Sequence, residues 1–392
     1  MSKHINKNPH FLLKIAIFSM PFSDLGSPIP LVNLTLFILL IYVMVLAPSL
    51  LKRNTFNEVK KPLSLLIILY LLILVISIIN FVPYTRVSMS FIRQFPLYIM
   101  VVYILSDAMI KGNLSLRVIL IYYIAGFTFM SILFLMGIDV KESEEGRRTI
   151  LGINANKIAI YGNVAILFCL NLLQKFRFSN QKRYLLYFLF PIFIYMIVST
   201  GSRGGVIGLL LSILIYYYFK GQGFQGKFGN SFKGLLIIGI LVLVFLSNDL
   251  LYQRFFQTGN EMTSDRSSIW EVAYSIVSNN LIFGVGVFKY ESEMIHLYGK
   301  YKATHNEFLS ILIFSGMIGL SVFLYFLTKV YKCAIYSNRN QQNPIFISLF
   351  ALMVFTLFKG GGFFLTLFLW FVFSLILTSN VNFGKFKQNY VK

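Results

Sequence analysis

Three side chains stand where chemistry on a charged substrate would need them: Arg203 in STGSRGG, Arg266 in SDRSSIW and His305 in YKATHNEFL. Ser202 is placed to cap a helix that starts with Arg203, and Gly201, Gly204 and Gly205 let a backbone or a ligand approach closely. Free N–H groups, a helix dipole and a guanidinium then converge, which is the chemistry of a phosphate site. An arginine snorkelling to a membrane interface beside a glycine turn satisfies the same residues. Arg266 adjoins Asp265, so a solvated ion pair competes with a role in anion binding. Thr304 and Glu307 have the spacing of a capping box, which puts His305 at the first helical position. A helix N-terminus disfavours imidazolium and keeps the ring able to accept a proton; a histidine that merely fills a capping turn is the plainer account. His4, His10 and His296 lack such a setting.

A second charged cluster, Glu142, Glu144, Glu145, Arg147 and Arg148, precedes the stretch RTILGINANKIAIY. Either arginine is a candidate for phosphate, with solvation the expected state of at least one. HExxH, P-loop and strand-borne GxGxxG patterns are missing, and Cys169 and Cys333 lie in an apolar run and a basic segment. Neither a metal nor a nucleotide cofactor is expected, so any substrate must arrive already activated.

The elements that hold these residues follow from composition. The chain has 392 residues, 57% apolar and only 12% charged, with a mean hydropathy of +0.73. A soluble domain is about half apolar and about a quarter charged, so lipid must be the solvent here and a soluble enzyme is excluded. Apolar runs of about 17 to 25 residues mark about twelve spans, in a range of roughly eleven to thirteen. They fall near 11–28, 31–48, 63–82, 89–110, 116–137, 154–174, 184–200, 203–219, 234–251, 306–328, 344–358 and 361–379. The first resembles a signal peptide without a convincing cleavage site and is expected to be a retained span. With the N-terminus in the cytoplasm, most of the 35 basic residues fall inside and nearly all of the 14 acidic ones outside. That positive-inside bias implies an even number of spans with both termini cytoplasmic, and it accounts for the formal +21 without nucleic acid. The reading is a single all-α polytopic membrane domain over 1–392. A large outer loop, 252–305, separates spans nine and ten. In that loop Ile269, Trp270, Ala273, Tyr274, Ile276 and Val277 recur at helical spacing, an amphipathic helix expected to lie on the membrane surface.

The order of motifs is similar to a known family. GSR, then DRxxxW (Asp265, Arg266, Trp270), then FGVGV (Gly284, Gly286), then HNEFL with SGMIGL (His305, Asn306, Gly316, Gly319) resembles the shared core of the O-antigen polymerases and O-antigen ligases, over roughly 147–320. RTILGINAN (Arg148, Gly152, Asn154, Asn156) looks like the outer-loop pattern that precedes a mid-chain span in that superfamily, although GINAN lacks the proline often found there. The resemblance implies a fold like that of the GT-C-type membrane glycosyltransferases. It also implies glycosyl transfer on the periplasmic face of the bacterial inner membrane, from a glycan on undecaprenyl diphosphate, without metal or nucleotide sugar. By the same resemblance Arg203 and Arg266 hold the diphosphate and His305 takes the proton of the acceptor hydroxyl, while Arg147, Arg148, Asn156 and Asn306 are further candidates for substrate. A chain-length regulator and a flippase are candidate protein partners. Polymerisation of repeat units is the first expectation, since polymerases are the more numerous and sequence-diverse group. The ligase, which transfers a finished glycan to a lipid A core, is the second. A transporter of lipid-linked sugars would place ionisable residues mid-span and often show inverted repeats, and neither is evident.

Overall fold

Lipid offers a backbone no hydrogen-bond partners, so a chain this apolar must satisfy its N–H and C=O groups inside helices. A computed structural model describes residues 10–25, 34–50, 56–82, 86–143, 146–256, 261–299, 301–360, 362 and 364–379, without the side chains of 46–50, 56–58, 86–88 and 261–266. The described residues form fifteen α-helices and one β-hairpin. In order these are α1 (His10–Phe18), α2 (Leu34–Leu50), α3 (Phe56–Ile79), α4 (Arg86–Ile110) and α5 (Leu116–Leu135), then strands β1 (Val140–Glu142) and β2 (Arg148–Ile150). There follow α6 (Ala155–Lys175), α7 (Asn180–Ser199), α8 (Arg203–Lys220), α9 (Gly223–Leu246) and α10 (Asp249–Phe256). The last five are α11 (Glu261–Ser278), α12 (Gly286–Tyr298), α13 (Glu307–Gln341), α14 (Ile345–Lys359) and α15 (Leu367–Thr378).

Each of the twelve apolar runs overlaps one of these helices. Seven helices, α3, α4, α5, α6, α7, α9 and α13, are long and apolar enough to cross a membrane, and α2, α14 and α15 contribute shorter apolar segments. The chain is an integral, multi-pass membrane protein. Helices apolar all round are either buried or bathed in lipid, and both kinds occur. Every residue of α15 from Leu367 to Thr378 is buried, whereas α9 exposes Leu235, Leu236, Ile240 and Leu243 on its outside.

The first apolar run is broken at its proline: α1 stops at Phe18 and a 3-10 turn, Met20–Phe22, follows. Pro21 has no N–H to return to the turn before it, which ends the helix there. The break has a use. Just after it, Asp24 accepts a hydrogen bond from Lys157 Nζ at 2.8 Å and is also bonded by the Tyr161 hydroxyl, tying this end of the chain to α6. The amphipathic segment divides its apolar residues between two sides. Ile269, Ala273 and Val277 are buried, and α11 packs on α12 and α13. Trp270 and Tyr274 face outward.

The segment between α11 and α12 is spliced into α13. At Gly316 the backbone turns to φ +63° and ψ −166°, which breaks the helix. The groups so released find new partners: Met317 N–H donates to Leu281 O at 2.9 Å and Ile313 O accepts from Val285 N–H at 2.7 Å. Gly316 has no alternative residue, because a Cβ there would overlap the Ile282 carbonyl. From 317 to 341, at about 1.5 Å per residue, the remaining helix still exceeds a hydrocarbon core of about 30 Å. Gly316→Ala is expected to lower the melting temperature in detergent by several degrees, since it adds a collision to roughly 1–3 kcal/mol of strain in a backbone region essentially reserved for glycine. Gly112→Ala is the control, with φ +73° but open space around it, and should cost the strain alone.

Candidate functional site

Arg203 owes its position to the turn between α7 and α8. Gly201 adopts φ +58°, a left-handed conformation suited to glycine, and reverses the chain. Ser202 then caps α8, its hydroxyl accepting from Gly205 N–H at 3.1 Å. Arg203 is therefore the first residue of α8, as the sequence indicated, and one of its guanidinium N–H groups donates to the Arg254 carbonyl at 2.8 Å. Arg254 is in the last turn of α10 and is itself buried. Lys359, the last residue of α14, lays its ammonium so closely over Gly204 that a Cβ at that glycine would overlap it. Three cations thus gather at one helix N-terminus.

His305 lies outside its helix. The cap of α13 is Asn306, whose side-chain oxygen accepts from Phe308 N–H at 3.0 Å and Leu309 N–H at 3.2 Å. This corrects the expected capping box. Thr304 is occupied elsewhere, its hydroxyl donating to Asn306 O at 2.7 Å and its carbonyl accepting the Trp270 indole N–H at 2.6 Å. His305 sits between them at φ +54°, a conformation uncommon for any residue but glycine.

These groups share a cavity of about 510 Å³. Arg147, Lys157, Arg203, Arg254 and Lys359 line it together with His305, and among the described residues no carboxylate does. The N-termini of α6 and α8 both open onto it, capped by Asn154 and Ser202. Lys157 is paired with Asp24, and the other four cations with two helix dipoles give the cavity a positive lining that suits an anion. Ile160, Ile207, Phe255 and Phe355 supply apolar walls. A histidine in the same cavity adds a group that can exchange a proton.

Residues 188–324 match the model of the O-antigen ligase family. The resemblance to the O-antigen polymerase and ligase superfamily therefore holds over the stretch from α7 to the first half of α13. That stretch contains Arg203, Arg254, Arg266, His305 and the glycine splice, and leaves Arg147, Asn156 and Lys359 outside it. The match supports O-antigen polymerase or ligase activity in general. No curated protein matches the chain.

The remaining candidates separate clearly. Arg147 donates to Thr200 O at 3.2 Å and to Asn156 Oδ1 at 2.9 Å, and the same Asn156 oxygen accepts from the Ser202 hydroxyl at 2.8 Å. Asn156 thus couples the hairpin arginine to the Arg203 turn. Arg148 points elsewhere and pairs with Glu142 at 3.0 Å on an exposed strand. Asn306 is engaged in capping and does not line the cavity. Arg266 is on α11, but its side chain lies outside the described residues. Arg254 and Lys359 escaped the reading from sequence, although each is a basic residue on the side that the charge bias expects to be poor in them. Arg147→Ala is expected to reduce the activity of the protein at least tenfold, whereas Arg148→Ala, which removes an exposed pair worth about 1 kcal/mol or less, should leave it unchanged.

Proposed function

We propose that this protein polymerises lipid-linked oligosaccharide repeat units into a surface polysaccharide on the outer face of the bacterial inner membrane, with both termini cytoplasmic. The donor is a glycan on undecaprenyl diphosphate. Arg203, with Arg147, Arg254 and Lys359 around it, holds the diphosphate together with Arg266. His305 removes the proton from an acceptor hydroxyl as that oxygen attacks the anomeric carbon. The new carbon–oxygen bond forms while the bond to the diphosphate breaks, and the diphosphate leaves with the electron pair. Guanidinium and ammonium groups neutralise its charge, so no metal is needed for that step, and such stabilisation of developing charge is a large catalytic term.

The observation that supports this reading is the convergence of Arg203, Arg254, Lys359 and His305 on one cavity. The description of the matching family favours a second reading, ligation of the finished glycan to a lipid A core with the same residues. Reconstitution of the purified chain in vesicles with lipid-linked repeat units tests both. A ladder of multiples identifies the polymerase. One transfer that requires lipid A core identifies the ligase, and passage of intact donor across the bilayer without product would refute both. In cells, loss of a polymerase leaves single repeat units on the surface, while loss of a ligase leaves none.

A further inference from the structure

We propose that Trp270 is a positioning residue for His305, acting through the peptide group that carries the imidazole; this rests on the reading of His305 as the proton acceptor. The indole N–H donates to the Thr304 carbonyl at 2.6 Å. That oxygen belongs to the peptide plane whose nitrogen is His305 N, so the bond fixes the axis about which φ of His305 turns. On the far side, Asn306 is held by its two capping bonds. Its carbonyl accepts the Thr304 hydroxyl, which also meets Ser310 Oγ at 2.7 Å. The histidine between them is at φ +54°. That conformation costs most side chains free energy, so the surroundings must help to hold it, and here the indole supplies one of the holding bonds.

Burial does not explain the tryptophan. Trp270 is 39% exposed, while the neighbours that fasten α11, Ile269 and Ala273, are at 4% and 0%. A phenylalanine would cover the same surface; what it lacks is the N–H. The indole also sits on a registered platform, because the Val285–Ile313 and Met317–Leu281 hydrogen bonds prevent α11 from sliding along α13. The sequence DRxxxW thereby acquires a reason for its last letter.

The test is Trp270→Phe in the full-length protein, reconstituted with a lipid-linked repeat unit, with kcat, donor KM and melting temperature measured on the same preparation. The expected result is a fall in kcat of about tenfold or more, with KM and melting temperature unchanged. Wild-type kcat overturns the proposal, and so does a loss of kcat accompanied by a raised KM or a lowered melting temperature, the mark of a general structural role. Failure of the underlying reading has its own signature: His305→Ala would then remain active whatever Trp270→Phe does.

Discussion

His305→Ala should abolish polymer while the protein accumulates in the membrane at its normal level. The imidazole lines the cationic cavity but takes no part in capping α13, which Asn306 does. Its removal therefore costs little structure. His305→Asn is the sharper variant, because asparagine tolerates a left-handed backbone and so preserves φ +54° without supplying a base. Both should lower turnover in vesicles by roughly 10²–10⁴-fold, the usual worth of a positioned general base. The Tyr301 hydroxyl is no substitute base. Burial, together with Glu307 and Glu291, pushes the Tyr301 hydroxyl well above its ordinary range, so it stays protonated. Turnover within twofold of wild type in either variant would remove His305 from the reaction.

What the sequence disclosed and what it concealed divide along the range of the interactions. The Ser202 cap, the turn at Gly201 and the start of α8 at Arg203 are local, decided within a few residues, and they were legible. The apolar runs were legible because lipid imposes one solution on the backbone. At Thr304-His305-Asn306 the capping-box spacing puts the start of the helix two residues early, and the distant contact it could not show is the Trp270 indole, which takes the Thr304 carbonyl while Asn306 caps. Arg254 and Lys359 reach the site from α10 and α14, through packing that no spacing reveals. The charge bias marks them as exceptions, but it marks other basic residues on the outer side equally, Lys141, Lys289 and Lys302 among them. Of the pair Arg147 and Arg148, alternation along the hairpin sends one inward to Asn156 and the other outward to Glu142. Sequence alone cannot set that parity without the register, here Glu142 opposite Arg148.

Arg203→Lys, which keeps the charge, should nevertheless lose most of the activity. The guanidinium at this position has two tasks: one N–H group holds the Arg254 carbonyl at 2.8 Å, and the planar fork faces the cavity that the diphosphate would fill. An ammonium offers three donors on a single atom and cannot bridge a carbonyl and a pair of phosphate oxygens at once. The loss should therefore appear in two places. Donor KM should rise because bidentate contact is gone, and kcat should fall by about tenfold to hundredfold because the charge developing on the leaving diphosphate meets a single point charge. Arg203→Ala should be inactive, since it removes the charge and also frees the α10 turn that carries Arg254. The informative comparison is Lys359→Arg, where a long flexible cation is exchanged for another over Gly204; that variant should keep much more activity than Arg203→Lys. Equal and nearly full rates in the two would mean that the cavity works as a pool of positive charge, with no geometry demanded of any one cation.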